Sequence, residues 1–367
     1  MNQVRSKAWR AVFFFSLVLS APLAEWGYAD NGPNHQVMQN PLVLFGVQGG
    51  NQNDLVPDGS GCYIGTLGCL VRDVHGTYML SNNHVLARTN GAKKGDDIMH
   101  TASTVCVPES IHVGDLSDFV LLDFEGGPNL VDAAVALIDA DHVASDGSIM
   151  DIGILTPAPV DPKLRMNVKK SGRTTGLTKS RIGAVGVNTY VDYGDGQVAY
   201  FMNQIFISGG NFSDSGDSGS LIVTDTEACP RPVALLFAGS PLGTVASPIQ
   251  VVLGELGVSV VGLKQGQPCP SSVGGGKPGK GGGKPAATTL DADEGIARAL
   301  AARDRYETNL MNTPGVLGTG AGAGEGDQGL AVEVYVEKIT PALLRSLPRG
   351  LDGIPVRVVE TGRFVKY

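Results

Sequence analysis

Residues 215–223 read SGDSGSLIV. The core of the stretch, GDSGS at Gly216–Ser220, has the composition of a nucleophile turn. A serine hydroxyl is a poor nucleophile until a base takes its proton. It also needs paired backbone N–H donors for the oxyanion that forms when it attacks a carbonyl. Glycines on both sides of Asp217 and Ser218 allow a tight turn, so the N–H groups of Gly216 and Ser218 can converge on one hole. An ion pair with Asp217 can lock that turn. Leu221–Val223 then begins a short apolar run, and such runs recur along the chain. Cys62–Val71, Tyr78–Leu80, Phe119–Phe124, Val135–Ile138, Ile182–Val187, Val198–Ile207 and Val233–Phe237 are mostly four to ten residues long and bounded by turn formers. This pattern predicts an all-β body, an antiparallel barrel or sandwich. Pro248–Leu256 carries Ile249, Val252, Leu253 and Leu256 at helical spacing, predicting a short closing helix.

Composition agrees. The chain has 367 residues, 42% of them hydrophobic and 17% charged, with 51 glycines. Low charge and abundant glycine argue against long helices or a coiled coil. The net charge of −8 offers no global basic field, so nucleic acid is not an expected partner. No cofactor is called for. Five cysteines, Cys62, Cys69, Cys106, Cys229 and Cys269, show no CxxC spacing, which argues against zinc, and no other metal is expected. Their odd number leaves at least one unpaired within the chain. Cys229 and Cys269 both lie beside prolines in late loops and are candidates to pair.

The first 29 residues read as a secretory signal peptide. Arg5, Lys7 and Arg10 precede the apolar run Ala11–Leu19, and the small residues Gly27 and Ala29 follow. The apolar run is too short to span a bilayer. The expectation is a secreted or periplasmic protein with no stable membrane insertion after cleavage. Residues 271–285, SSVGGGKPGKGGGKP, read as a Gly/Lys/Pro linker. A phosphate loop is the rival, but no Ser or Thr follows Lys280 and no strand precedes it. The linker separates a body of about 40–268 from a tail of about 288–367. The tail reads as a small α+β unit: a helix over Asp291–Leu310, a strand at Leu330–Glu337, a helix begun by Thr340 and Pro341, and a strand at Ile354–Val359.

Two further segments supply partners for the serine. Tyr78–Ala87, YMLSNNHVLA, places His84 where a strand gives way to a helical turn. His35, His75, His100, His112 and His142 sit in looser or more polar contexts. Asn129–Asp139, NLVDAAVALID, places Asp132 at the entrance of an apolar run, where a carboxylate needs a partner. An imidazole N–H is a suitable one, because the carboxylate sets the tautomer and stabilises the imidazolium. Asp139 is the competing acid, but it closes the run. The order His84, Asp132, Ser218, with gaps of 48 and 86 residues, is that of two-barrel serine proteases, not of subtilisins or α/β-hydrolases.

On these residues the chain resembles the trypsin/chymotrypsin-like serine peptidases of the bacterial branch. SNNHV is similar to the histidine motif of HtrA-type enzymes, and KSGRTTGLTKSRIGAV, Lys170–Val185, to a stretch of the streptogrisin and α-lytic enzymes. The likeness covers roughly 60–262. It implies a double antiparallel β-barrel with the active site between barrels. His84 would be general base, Asp132 its orienter and Ser218 the nucleophile, with the Gly216 and Ser218 amides as oxyanion hole. Asp217 would be held by an internal cation, Lys170 or Arg173. Phe212, Asp214, Phe237, Ala238 and Gly239 are the expected pocket residues. Phe212 stands where a trypsin-like pocket carries its acid, which predicts an apolar or small preference.

Some positions depart from the family pattern. Val85 replaces the cysteine that follows the histidine in many relatives, so Cys69 is expected to lack that disulfide partner. Ser220 replaces a second glycine. HtrA-type enzymes carry PDZ domains after the peptidase, but the helix-first tail with no clear carboxylate-binding loop argues against one here. The expected function is a secreted serine endopeptidase acting on polypeptides through an acyl-enzyme. The alternatives are a catalytically silent binding protein on the same barrel, or an esterase.

Overall fold

The computed structural model describes residues 35–39, 42–54, 63–101, 110–226, 228–264, 267–269, 289–323 and 329–367. All of them lie in one compact unit. The signal-peptide and 271–285 linker expectations fall outside the described residues, as do Cys62 and Cys106.

The fold is mostly β and contains two antiparallel barrels. In the first, the chain bends at Gly68 between strands Gly65–Leu67 and Cys69–Arg72, so one segment pairs on both sides. Cys69–Arg72 pairs with Thr77–Ser81, then the order runs through Ala134–Ile138, Ser110–Phe119, Asp97–Thr101 and Val47–Asn51 back to Gly65–Leu67. The ring closes because its first and last positions belong to the same bent segment, and closure removes unpaired edges. Val47, Leu67, Leu80, Val113, Leu116, Ala136 and Ile249 are among the residues filling this barrel's core.

The second barrel also closes. Asn167–Gly172, Gly176–Gly194, Gln197–Ser208, Gly243–Pro248, Pro232–Ser240 and Leu221–Thr224 form a ring in that order. Ile182, Ile205, Ile207, Ile222, Val233 and Leu236 fill it. Helix Ile249–Leu256 caps the body and ends at Gly257, whose φ of 66° supplies a left-handed stop.

The structure corrects one strand expectation. Phe119–Phe124 is not a strand; the strand is Ser110–Phe119, and the chain after it is irregular. Asn90 explains the change, because its side chain bonds the Leu122 N–H and carbonyl at 3.0 and 2.8 Å. Those groups are then satisfied outside any ladder.

The tail joins the second sheet. Strand Val316–Ala323 pairs with the long strand Gly176–Gly194, with Ala184 opposite Gly322 and Thr189 opposite Gly318. Leu330–Val336 and Ile354–Glu360 extend the sheet outward. Helix Thr289–Met311 lies against them, and its Glu307 accepts from Asn188, Tyr200 and Thr319 at 2.6, 3.0 and 3.2 Å. Pro341–Ser346 starts as its cap residues predict, with the Thr340 side chain accepting from the Leu343 N–H. Cys229 and Cys269 form a disulfide. Cys69 is a free, buried thiol whose pKa burial pushes up to about 12. Among the described residues no helix is long and apolar enough to cross a membrane.

Candidate active site

His84 lies in the single helical turn Asn83–Leu86 at the end of strand Thr77–Ser81. Its backbone N–H donates to Asp132 Oδ1 at 3.2 Å, and its Nδ1 lies 2.5 Å from Asp132 Oδ2. Asp132 is fully buried just before strand Ala134–Ile138. Asn82 donates to the Asp132 carbonyl at 2.6 Å, so strand end and acid are tied through the backbone as well.

Tyr193 completes the acid's environment. Its hydroxyl donates to Asp132 Oδ2 at 2.7 Å, and its ring meets His84 edge-on with centroids 5.9 Å apart. Burial alone raises the Asp132 carboxyl pKa. The His84 charge and the hydrogen bonds from His84 and Tyr193 outweigh it and hold the carboxyl below the usual carboxylate value. Tyr193 is buried against that carboxylate, so its own pKa is pushed well up, and it stays a donor.

Ser218 sits in the turn before strand Leu221–Thr224 of the other barrel. Gly216 and Gly219 take φ of 95° and 92°, in the left-handed region open to glycine. A Cβ on Gly219 would stand 2.1 Å from Ser81 Oγ and 2.3 Å from the Thr66 carbonyl. The turn is therefore seated directly on the first barrel. Thr66 holds it with its N–H to the Ser218 carbonyl at 2.8 Å and its hydroxyl to the Gly216 carbonyl at 2.9 Å. Asp217 donates its N–H to the Asp214 carbonyl and Gly219 its N–H to the Leu236 carbonyl. Among the described residues, the N–H groups of Gly216 and Ser218 have no acceptor.

Asp217 is fully buried against Lys170, with Nζ 3.2 Å from Oδ2. Its carboxylate also accepts from the Thr174 and Thr175 N–H groups at 2.8 and 3.2 Å, the Thr175 hydroxyl at 2.7 Å and the Asp214 N–H at 3.0 Å. Lys170 spends its other protons on the Thr175 hydroxyl and the Gly176 carbonyl. Burial lowers the Lys170 pKa and Asp217 opposes that, leaving it below its ordinary value. Arg173, the other candidate cation, turns to Gln48 and Thr174. Of the two, Lys170 is the one that reaches Asp217.

The expected pocket residues divide. Phe212 is buried in the second barrel's core, and Lys170 Nζ lies 6.0 Å above its ring. Phe237, Ala238 and Gly239 follow one another on strand Pro232–Ser240; the side chains of Phe237 and Ala238 are buried in the core, and the Phe237 carbonyl accepts from the Ser218 hydroxyl and the Tyr367 N–H. Asp214 spends Oδ1 on the Ser215 N–H, just before the Gly216–Ser220 turn. The open cleft between the barrels is lined by Tyr63, His84, Val85, Gly216 and the chain's own Lys366 and Tyr367. His84 Nε2 lies 3.0 Å from the Tyr367 backbone oxygen, and the Ser218 hydroxyl donates to the Phe237 carbonyl at 3.1 Å.

Sequence reasoning missed Tyr193, Thr66, Lys366 and Tyr367. Tyr193 is one of nine tyrosines, and nothing local marks it as facing an acid. Thr66 acts through backbone and hydroxyl contacts across 150 residues of chain. Elsewhere, Asp97, His112 and Asp115 bring ligand atoms within 4.8 Å of one another near the surface of the first barrel. His112 is already paired with Asp115 at 3.1 Å and Asp139 at 3.5 Å.

Comparison with known proteins adds the following. A profile of the family described as the Nal1 C-terminal domain matches residues 128–246, a span that holds Asp132 and Ser218. No curated protein matches the chain. A structure titled "A glutamic acid specific serine protease utilizes a novel histidine triad in substrate binding" is 19% identical, with TM-score 0.42, covering 59% of this chain and all of that one. Thermobifida fusca Protease A is 16% identical, with TM-score 0.40, covering 61% of this chain and 100% of that one. Cellulomonas bogoriensis chymotrypsin is 14% identical, with TM-score 0.40, covering 60% of this chain and 99% of that one.

Proposed function

We propose that this chain is an exported serine endopeptidase. The observation that carries the reading is the buried Asp132–His84 pair on one barrel, lining the same cleft as the tight Gly-Asp-Ser-Gly turn on the other. Ser218 Oγ attacks the scissile carbonyl carbon while His84 Nε2 takes its proton. The C–O bond forms, and the carbonyl electron pair moves onto oxygen beside the Gly216 and Ser218 N–H groups. Collapse breaks the C–N bond, and His84 returns the proton to the departing amine. A water activated by His84 then releases the acyl group. Asp132 stays ionised throughout and stabilises the imidazolium, with Tyr193 fixing its free lone pairs. Lys170 and Asp217 act at one remove, keeping the turn in place.

The test is a fluorophosphonate label with mass mapping of the modified residue. Ser218 is expected to carry the label in the wild type, and Ser218→Ala to carry none. Digestion of denatured casein beside a short-chain ester separates endopeptidase from esterase. Full turnover in His84→Ala would overturn the assignment. Triad members act as a unit, so a double variant is expected to lose little beyond the worse single one.

A further inference from the structure

The last residues of the chain lie inside the cleft just described. Val365–Lys366 forms a short strand antiparallel to Pro232–Ser240, with Ala238 opposite Lys366 and Gly239 opposite Val365. On its other side Val365 pairs with Asp192 of the long strand Gly176–Gly194. The Asp192 N–H donates to the Phe364 carbonyl at 2.9 Å, and the Tyr367 N–H donates to the Phe237 carbonyl at 3.2 Å. An extended peptide is thus gripped by backbone on both sides, the way strand addition binds peptides without regard to side chains.

The segment runs toward the catalytic groups and brings the Tyr367 backbone oxygen to His84 Nε2 at 3.0 Å. Nδ1 faces the Asp132 carboxylate. Both ring nitrogens are thus engaged, Nε2 by the segment itself. The Ser218 hydroxyl meanwhile points its proton at Phe237.

Three of the four side chains of the segment have a seat, and Val365 is exposed. The Tyr367 ring lies against Gly239, where a Cβ would come within 2.3 Å of it, and its hydroxyl donates to the Ser240 carbonyl at 3.1 Å. Burial, with the Asp214 and Asp217 charges, pushes that hydroxyl's pKa up to about 12. Lys366 Nζ lies 5.5 Å from the Tyr63 ring centroid and 5.7 Å from that of Tyr193. Phe364 is buried, with its ring 6.1 Å from both Phe206 and Tyr335.

We propose that Phe364–Tyr367 occupies the acyl half of the substrate cleft as a built-in, substrate-mimicking inhibitor, and that it reports the substrate class. That class is a polypeptide with a tyrosine-like aromatic residue donating the scissile carbonyl and a basic residue before it. The inference rests on the serine-hydrolase reading of the site. Gly239 matters here as space: any larger residue would close the seat that the aromatic ring uses. Free substrate must displace a segment whose effective concentration is on the order of millimolar, because it is tethered.

The test compares the full chain with Tyr367→Gly and with Lys366→Glu. The second variant places a carboxylate between the two rings and serves if the first folds poorly. Two readouts are used: the rate of Ser218 labelling by a small fluorophosphonate, and binding of a fluorescein-labelled Phe-Val-Lys-Tyr peptide followed by anisotropy. Both variants are expected to label about tenfold faster than wild type, the order that displacing a tethered ligand should give. They are also expected to bind the peptide, while wild type does not. Peptidyl amides with Lys-Tyr before the scissile bond should be cut faster by Tyr367→Gly than those with Lys-Gly or Lys-Glu there. Labelling rates equal to wild type together with no peptide binding would overturn the proposal. Faster cleavage after Gly or Glu would overturn the substrate class. Peptide binding without any labelling of Ser218 would leave the occupied cleft standing and remove the serine-hydrolase reading instead.

Discussion

Two segments meet in the cleft and are held by opposite means. The Gly216–Ser220 turn rests on a fully buried ion pair, Lys170–Asp217, in which every carboxylate oxygen has several donors. The C-terminal segment, Phe364–Tyr367, rests on sheet pairing, ring faces and side-chain and backbone hydrogen bonds, one of them to His84 Nε2. Nothing from outside can substitute for Lys170, because bringing a new charge into that site means desolvating it. The contacts of Phe364–Tyr367 are of the kind another extended peptide with matching side chains can make. The cleft is therefore held rigidly on the Gly216–Ser220 side and by exchangeable contacts on the other.

The largest expected effect comes from breaking the rigid side. Lys170→Met strands the Asp217 carboxylate, and loss of one partner of a buried pair costs about 3–5 kcal/mol. The urea midpoint should fall accordingly, and Ser218 labelling should fall with it. Arg173→Met should lose much less, since among the described residues the Arg173 side chain bonds Gln48 and Thr174 and not Asp217. Equal losses in the two variants would erase the distinction between them.

Tyr193→Phe should cost about 1–3 kcal/mol, the penalty for leaving a buried acceptor short of a donor. It also sharpens the assignment of Tyr193 as a positioning residue. The Tyr193 hydrogen bond helps lower the Asp132 pKa, so removing it raises that pKa. In the wild type the depressed pKa gives stability that is fully present above the unfolded value of about 3.9 and lost as pH falls through the folded value. In the variant the contribution should be smaller and its loss, which begins at the same unfolded value, should be complete at a higher pH, as acid titration followed by circular dichroism would show. A purely structural role would lower stability by the same amount at every pH.

The exchangeable side should respond to changes in the segment alone. The Tyr367 backbone oxygen engages His84 Nε2, and the Tyr367 ring fills the seat at Gly239. Fluorophosphonate labelling should therefore be faster in Tyr367→Gly than in wild type. Equal rates would show that the segment does not cover the site. The smallest effect is expected for Lys366→Met. It removes a cation from two ring faces, worth about 0.5–1 kcal/mol where partly exposed, and should speed labelling only a few-fold.

Much of the barrel pattern was legible because its causes are local. Short β-branched runs between turn formers mark Thr77–Ser81, Ala134–Ile138, Gln197–Ser208 and Leu221–Thr224. Helix Ile249–Leu256 announces itself through apolar spacing and a terminal glycine. Val316–Ala323, VLGTGAGA, was not legible, because its small residues carry no alternation and it becomes a strand only by pairing with Gly176–Gly194. The same cause hid the continuity of the tail with the second barrel. Phe119–Phe124 misled in the other direction: its apolar residues look like a strand, but Asn90 takes the backbone groups that a ladder would need.

For the candidate site, the sequence by itself determined which residue types are present and in what order: a histidine at a strand end, an acid entering an apolar run and a serine between glycines. Those are local choices of backbone freedom and polarity. Only the tertiary structure decided between Lys170 and Arg173 as the partner of Asp217, because both side chains are long enough and the choice turns on which one the barrel wall points inward. Only the tertiary structure brought Tyr193 to Asp132, across 61 residues, and Tyr367 to His84, across 283. Contacts at that separation leave no trace in neighbouring residues. They depend on barrel closure and strand register, which are set by the packing of the whole chain.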